Sequence, residues 1–535
     1  MSDPSSSAKP GRAASPGGVV SPGSAAGPPT GDGKGLATGQ LGLIGSTVIG
    51  LASTAPVYSL AATLGFVVVA VGQQAPIAML LAFVPMFFIA FAYRELNTAV
   101  PDCGTTFTWA TKAFGPRLGW MGGWGVAVAG IIVLANLAQI GGKYFWLLLG
   151  QEDLASNIAV QTITGVVFIA LMVYVSYRGL EIGERLQNVL LAIQYLALIL
   201  FVVFAVVALA TGQAPAGAAP PELDWFDPFA FSDFHSFTEA VLLALFIYWG
   251  WDTCLALNEE TKDPARIPGR AALLSTVILM VTYVGVTVAA MAYAGLGSSG
   301  IGLGNESNAE DVFFAVKDAL FGPWAWLLVL AVMISAISST QTTILPTARG
   351  TLAMAVYGAL PERFGRVHPR FKTPGFSTLV MGVIAVAFYV GMTLISENIL
   401  ADTILSLGLA IAFYYGITGF ACVWYFRDSL FSSARNVVYR LVFPLLGGLM
   451  LLGAFVVSAI DMLDPDYGYT VLLGVGGVFV VGVGSLALGV VLMIVWSLFP
   501  ASKPFFRGES LNRDTAVLVP DEEVDYGRSV DGGRV

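Results

Sequence analysis

One carboxylate stands in the middle of a long apolar stretch of the chain. Asp252 follows Trp249 and Gly250 within the apolar run 236–258. Because a charge is expensive in apolar surroundings, an acid found there generally serves a function or a specific structural need. Two interpretations stay open: the carboxylate pairs with an ammonium group or takes up a proton, or it accepts hydrogen bonds from backbone N–H groups and holds a helix interruption in place.

A second interruption lies in the first apolar run, 41–68. Ser53, Thr54 and Ala55 precede Pro56. Proline lacks an N–H group and clashes with the preceding turn, while serine and threonine hydroxyls can replace the lost backbone partners. The segment is therefore either an ordinary proline kink or a helix break whose freed backbone groups can bind a small solute.

The composition indicates which elements must position these residues. Hydrophobic residues make up 56% of the 535 residues and charged residues 11%, whereas a water-soluble domain has about 25% charged residues. A helix needs about 20 apolar residues to cross a bilayer core. The apolar runs here are continuous rather than alternating, so they predict helices and not the strands of a β-barrel. The sequence predicts an all-α integral membrane protein.

Twelve apolar runs are long enough to span a membrane, which places both termini on one side. They cover residues 41–68, 75–94, 118–149, 157–177, 186–210, 236–258, 271–296, 323–356, 375–396, 401–426, 438–460 and 468–498. With cytoplasmic termini, all but two of the 26 lysines and arginines fall on the cytoplasmic side, as the positive-inside rule requires. The exceptions are Lys143 and Lys317.

The outer loops of this topology are acidic. Asp461, Asp464 and Asp466 lie between the last two runs. These acids either attract a cationic solute to the outer mouth or simply keep a loop soluble from which lysine and arginine are excluded.

Three sequence blocks lie in register with the predicted spans. The first contains Glu95-Leu96, Pro101, Gly104, Thr105, Phe107 and Phe114-Gly115-Pro116. The second contains Trp249-Gly250-Trp251-Asp252 and residues 259–268, and the third contains Arg349, Leu360-Pro361 and residues 367–374. Together these blocks resemble signatures of bacterial permeases of the amino acid–polyamine–organocation (APC) superfamily.

The resemblance implies a fold of twelve transmembrane helices with a 5+5 inverted repeat like that of the bacterial leucine transporter, and with helices 1 and 6 broken. We expect a disordered N-terminal tail at 1–40, a ten-helix transport core at 41–426, helices 11 and 12 at 427–502, and a disordered C-terminal tail at 503–535. The implied function is secondary active transport of amino acids or related organic amines across the plasma membrane by alternating access.

The resemblance also implies the substrate-binding residues, which are Ser53, Thr54, Ala55, Phe246, Trp249, Gly250 and Asp252. The family often binds a substrate carboxylate on a Gly-Ser-Gly stretch of helix 1. Here Pro56 removes one donor and no glycine permits close approach of the backbone, which makes a polyamine or another organic amine an alternative substrate. Phe246 and Trp249 could stack on an organic cation or could simply pack in the core.

The coupling ion, H+ or Na+, stays open in the sequence, as does substrate exchange. Proton-coupled relatives have a lysine on helix 5 where this chain has Gln194, which cannot titrate. Ser338 and Ser339 match hydroxyl ligands of sodium-coupled relatives, although serines also allow close helix packing. Asp252 could carry a coupling proton. No other cofactor and no structural metal are expected.

Other functional classes have less support. Two histidines, His235 and His368, form no catalytic cluster, and neither a phosphate-binding loop nor a repeated pore motif occurs, so an enzyme or a channel is a remote alternative. The expected partners are a small-molecule substrate and the lipid bilayer, without nucleic acid, for a monomer or homodimer. Glu259, Glu260 and Lys262 are interpreted as a solvated helix end, or alternatively as a salt-bridged gate.

Overall fold

The computed structural model describes residues 33–231, 234–395, 399–472 and 474–518, and it is almost entirely helical. The first half contains α1 (Leu43–Ser53), α2 (Pro56–Val71), α3 (Ala75–Ala99), α4 (Thr106–Phe114), α5 (Pro116–Leu148), α6 (Glu152–Ser156), α7 (Ile158–Arg178), α8 (Leu180–Ala210), α9 (Phe234–Ile247) and α10 (Thr253–Ala256).

The second half continues with further helices and one small hairpin. It contains α11 (Ile267–Ala294), α12 (Val312–Phe321), α13 (Trp326–Val356), α14 (Gly375–Ile395), α15 (Ile399–Tyr425), α16 (Ala434–Asn436), α17 (Phe443–Asp461), α18 (Gly477–Ser497) and α19 (Lys503–Phe506). A π-helical segment, Val437–Val442, leads into α17. The antiparallel hairpin of β1 (Val471–Leu472) and β2 (Val475–Gly476) precedes α18.

Ten helical segments of the described residues are long and apolar enough to cross a membrane. One of them is the run Leu43–Ala99, whose 57 residues include the first two predicted spans. The sixth predicted span corresponds to the short helices α9 and α10, which are separated by non-helical residues. The helical membrane fold is therefore confirmed, whereas twelve crossings and the inverted repeat stay predictions.

Both predicted helix interruptions are present. Helix α1 ends at Ser53, and α2 begins at Pro56 after Ala55, whose φ of 48° is left-handed. Helix α9 ends at Ile247 and α10 begins at Thr253. The break segments pack together, because α1 contacts α10 and both contact α13.

The segments next to the two termini pack at the same end of the bundle, which we call the terminal face. Leu41 lies beside Thr261 and forms backbone hydrogen bonds with Glu260 and Lys262, and Leu36 is buried with Phe505 and Leu511. These residues belong to segments assigned above to tails or their borders, and the rest of both tails lies outside the described residues. The opposite end, which carries the 466–469 loop, is the distal face.

Candidate substrate-binding site

A small cavity lies where the two broken helices meet. Its lining includes Ser53, Thr54, Ala55, Phe246, Trp249 and Ser339, which are six of the nine residues proposed above for substrate or ion binding. The volume is only about 10 Å³, enough for about one water molecule. The structure therefore brings most of the predicted residues together around a very small space.

Hydroxyl groups replace missing backbone partners at the break between α1 and α2. Thr54 Oγ1 donates to the Leu51 carbonyl at 2.7 Å, and Ser59 Oγ donates to the Thr54 carbonyl at 2.6 Å. Across the bundle, Ser339 Oγ donates to the Ser53 carbonyl at 2.9 Å. The predicted backbone role of a hydroxyl is seen for Thr54, whereas the Ser53 hydroxyl instead pairs with the Thr253 hydroxyl at 2.8 Å.

The N-terminus of α2 has few N–H groups to offer an anion. Pro56 is its first residue and has no N–H. The Tyr58 N–H, two residues later, donates to Ser335 Oγ at 3.2 Å. A helix N-terminus ordinarily binds carboxylates through such N–H groups. Here one donor is missing and another is used internally by Ser335, which was not predicted from the sequence.

The α9–α10 break depends on a close approach between two backbones. Gly250 has a φ of 114°, a backbone conformation that residues other than glycine rarely adopt. A Cβ atom at this position would lie 2.7 Å from the Ser53 carbonyl oxygen. Glycine is therefore needed here both for the backbone conformation and for contact between the two breaks.

Asp252 does not line the small cavity but lies behind it. Its carboxylate accepts hydrogen bonds from the Tyr415 hydroxyl at 2.8 Å and the Tyr414 hydroxyl at 3.3 Å. The Tyr414 hydroxyl also accepts a hydrogen bond from the indole of Trp249. Asp252 is thus linked to the cavity through Tyr414 and Trp249. Neither tyrosine was predicted from the sequence, although two consecutive tyrosines inside an apolar run were a visible signal.

Ser338 and Ser339 point to different partners. Ser339 contacts the helix break, whereas Ser338 Oγ donates to Gln187 on α8. Only one of the two hydroxyls therefore faces the Ser53 carbonyl in this conformation. Gln194 is fully buried, and its amide has no hydrogen-bond partner among the described residues.

A much larger cavity of about 730 Å³ extends from the break toward the distal face. Tyr58 and Phe246 line both cavities and therefore lie between them. The large cavity reaches the surface near Glu310 and Asp466, which are exposed. Asn136 also lines it and donates to Thr403 Oγ1 at 2.8 Å, so an interhelical hydrogen bond accounts for this buried amide.

The terminal side of the break is filled by buried ion pairs. Glu259 accepts a hydrogen bond from Lys34 Nζ at 2.6 Å, and Glu260 forms a two-point ion pair with Arg349. Glu259, Glu260 and Arg349 are each about 1% exposed or less. The interpretation of a solvated helix end is wrong for both glutamates, because they meet cations from distant segments, whereas Lys262 is exposed as expected.

Comparisons with known proteins agree with this architecture. The model of the family described as "Amino acid permease" matches residues 41–505. An uncharacterized transporter of Mycobacterium tuberculosis is 27% identical over 65% of this chain and 73% of its own length. The branched-chain amino acid permease BcaP of Lactococcus lactis is 23% identical over 77% and 87%, and the low-affinity putrescine importer PlaP of Escherichia coli is 23% identical over 76% and 86%. The chain belongs to the amino acid permease family of the APC superfamily.

Proposed function

We propose that this protein is a secondary transporter that takes up amino acids or related organic amines across the plasma membrane by alternating access. In this proposal the terminal face is cytoplasmic and the distal face is outside. The observation that carries it is the asymmetry around the break, with a cavity of about 730 Å³ on the distal side and buried ion pairs on the terminal side. Alternating access requires one side to be closed while the other is open.

Organic amines are the second substrate class that specific observations favour. Pro56 provides no N–H, and the Tyr58 N–H is used by Ser335. Phe246 and Trp249 supply aromatic surface at the small cavity, and aromatic faces attract organic cations. The similar proteins include both a branched-chain amino acid permease and a putrescine importer, so both classes belong in the first screen.

The direct test is uptake into proteoliposomes that contain the purified chain. Labelled neutral amino acids, cationic amino acids and diamines are offered with a proton gradient, a sodium gradient or neither. The proposal expects accumulation of at least one of them above empty liposomes. Dependence on one gradient identifies the coupling ion, whereas uptake driven only by internal substrate indicates exchange. Failure to accumulate any of these compounds under every gradient would overturn the proposed substrate classes.

The role of Asp252 is tested by Asp252→Asn, which keeps the shape and removes the charge. We expect uptake to fall by about 100-fold, equivalent to about 2.7 kcal/mol, with an unchanged elution profile in detergent. Glu181→Gln is the matched control, because Glu181 is an exposed acid that pairs with the exposed Arg185 one helical turn away. Uptake by Asp252→Asn at half the parent rate or more would remove this residue from the mechanism.

Ser335→Ala tests the substrate class. The substitution frees the Tyr58 N–H, so it should improve the binding of substrates with a carboxylate relative to amines that lack one. We expect a change in the KM ratio of about 3-fold to 10-fold, since one hydrogen bond contributes about 0.5–1.5 kcal/mol. An unchanged ratio for an amino acid and its decarboxylated amine would show that Ser335 does not influence selection.

A further inference from the structure

A lysine from the N-terminal segment is enclosed at the terminal face by groups that suit a primary ammonium. Lys34 Nζ contacts Asp102 Oδ2 at 2.7 Å and Glu259 Oε1 at 2.6 Å, and it donates to the Leu518 carbonyl at 3.0 Å. The Tyr357 ring centroid lies 5.6 Å from the same nitrogen. Three oxygens and an aromatic face thus satisfy the three N–H donors and the charge of one ammonium.

The carboxylates of this enclosure are held in place by further groups. Asp102 also accepts hydrogen bonds from the Tyr357 hydroxyl at 2.7 Å and from Thr108 Oγ1 at 2.7 Å. Glu259 Oε1 accepts the Cys103 N–H at 2.9 Å. The side chains of Lys34, Asp102 and Glu259 are all fully buried. These contacts orient both carboxylates toward the ammonium, which favours one ligand shape.

The charge states of Lys34 and Asp102 agree with a lysine ligand, whereas burial raises the pKa of Glu259 even though the Lys34 ammonium lowers it. Burial by itself lowers the pKa of Lys34, but the Asp102 and Glu259 carboxylates outweigh it and hold this pKa well above its ordinary value. Burial raises the pKa of Asp102, yet the Lys34 charge and its hydrogen bonds bring it below the ordinary value. Asp102, Cys103 and Glu259 are close enough together to hold a metal ion, but the Lys34 ammonium already contacts both carboxylates.

Both terminal segments converge at this point. The N-terminal segment continues from Lys34 to Leu41, which pairs with residues 260–262 by backbone hydrogen bonds. In the C-terminal segment, Ser510 Oγ donates to the Tyr357 carbonyl at 2.6 Å, and the Thr515 carbonyl accepts from Lys112 Nζ at 2.6 Å. The enclosure therefore connects α4, the end of α10, the end of α13 and both terminal segments.

The enclosure lies across the route that a substrate would take from the break to the terminal face. Arg349 pairs with Glu260, the neighbour of Glu259, and follows Ser339 by ten residues on α13. Ten helical residues correspond to about 15 Å. The Arg349–Glu260 ion pair is thus about 15 Å from the break. While this pair is intact, the segment after α10 cannot separate from α13.

We propose that Asp102, Glu259, Leu518 and Tyr357 form a binding site for a primary ammonium, whose resident ligand is the chain's own Lys34, and that this site latches the terminal face closed. We call these four residues the latch site. The inference rests on the alternating access proposed above, because release on the terminal side then requires Lys34 to leave. Lys34 and the C-terminal segment are in this view a tethered ligand and a cover, both removable without breaking a transmembrane helix.

Cys103 provides a built-in reporter of opening. The chain has three cysteines, and all are buried. With Cys254→Ala and Cys422→Ala, only Cys103 can react with a membrane-impermeant maleimide added at the terminal face. Burial and the Glu259 carboxylate raise the pKa of Cys103, whereas Lys34 lowers it. Loss of Lys34 therefore makes the thiol intrinsically less reactive, so faster labelling reports exposure.

The experiment compares Lys34→Ala with its parent in inside-out vesicles. We expect Cys103 labelling to be at least about 10-fold faster, because one partner of a buried charge cluster is lost. Added ethylammonium should slow the labelling again by refilling the site. Tetramethylammonium should not, since it has the charge but no N–H donor. Lys262→Ala is the matched control, because Lys262 is an exposed lysine near the same face, and its labelling should equal that of the parent.

A Cys103 labelling rate in Lys34→Ala within about 2-fold of the parent's rate would overturn the latch. Equal slowing by ethylammonium and tetramethylammonium would overturn the ammonium site. If Lys34→Ala fails to fold, Glu259→Gln removes one negative charge from the site while retaining Lys34, and it should give intermediate labelling. Labelling as slow as the parent's would again overturn the proposal. Labelling requires no transport. A failed uptake screen and a failed latch are therefore separate results.

Discussion

Charged side chains occur at both ends of the molecule but in opposite environments. At the terminal face, Lys34, Asp102 and Glu259 are buried and in contact. At the distal face, Glu310 and Asp466 are exposed around the mouth of the large cavity. Residues of the same chemical type therefore close one end of the bundle and border an opening at the other.

Burial, rather than charge, decides what these residues contribute. Removing one partner of a buried ion pair leaves an uncompensated charge and costs about 3–5 kcal/mol. An exposed charge is screened by water and salt and contributes about 0–1 kcal/mol. We therefore expect large structural effects from substitutions at the terminal face and small kinetic effects at the distal face.

The largest effect is expected for Arg349→Met. Arg349 forms a two-point ion pair with Glu260, and both side chains are 1% exposed. Glu260 would be left as a buried charge without its partner, so we expect a loss of about 3–5 kcal/mol. Thermal unfolding in detergent should show a clearly lower Tm.

A double variant separates the ion pair from the packing of the arginine stem. Arg349→Met combined with Glu260→Gln removes both charges, and it should recover part of the stability that the single variant loses. A single variant with the parent's Tm, or a double variant that is destabilised by the sum of the two single effects, would show that the pair does not hold this end together.

The second effect concerns Asp102→Asn and its dependence on pH. Asp102 accepts four hydrogen bonds, from Lys34, Tyr357, Thr108 and the Gly104 N–H, so we expect a loss of about 2–3 kcal/mol at pH 7. Despite burial, Lys34 keeps the pKa of Asp102 below its ordinary value of 3.8. A carboxylate with a lowered pKa stabilises the fold above its ordinary value and loses that contribution as the pH falls through the lowered one.

The Tm difference between Asp102→Asn and the parent should therefore be constant from pH 8 to pH 5. It should decrease only when the pH falls below 3.8. Measurements at several pH values in detergent check this. A difference that already halves between pH 7 and pH 6 would mean that Asp102 is protonated in the folded protein and is not held by Lys34.

The sequence predicted the helix breaks well, because proline and glycine act on the backbone where they stand. Pro56 begins α2, and Gly250 lies in the gap between α9 and α10. The local pattern was sufficient for both. It was also sufficient to recognise that hydroxyls near Pro56 would replace backbone partners, since Thr54 bonds to a carbonyl only three residues away.

The partners of the charged residues were not predictable in the same way. Asp252 meets Tyr415 across 163 residues, and Lys34 meets Glu259 across 225. Hydropathy indicates the depth of a residue in the bilayer, but it does not indicate which side chain from another helix faces it. For that reason Glu259 and Glu260 resembled an ordinary polar helix end, although their cations come from distant segments.

The third prediction concerns the contact between Gly250 and Ser53, which lies between the terminal face and the distal face. Gly250→Ala forces an alanine into a φ of 114° and places its Cβ 2.7 Å from the Ser53 carbonyl. Backbone strain of this kind costs about 1–3 kcal/mol, and the clash must also displace one of the breaks. We expect a lower Tm together with a loss of uptake.

Gly453→Ala is the matched control for this substitution. Gly453 lies within α17, and a Cβ there would meet no atom of another described element within 4 Å, so alanine should be neutral or slightly stabilising. Equal behaviour of the two variants would show that the close approach at Gly250 does not matter for the fold or for transport.

The smallest effect is expected at the distal face, where Glu310→Gln and Asp466→Asn should leave the Tm unchanged. These acids either attract a cationic substrate or only keep the loops soluble. Electrostatic attraction through water is screened beyond about 8 Å at physiological salt. At that salt concentration we therefore expect both substitutions to change KM by less than about 2-fold. At low salt, attraction predicts a higher KM for a cationic substrate in the double variant and an unchanged KM for a neutral one. A change of equal size for both substrates would contradict an electrostatic role, since only the charge of the substrate differs between the two measurements.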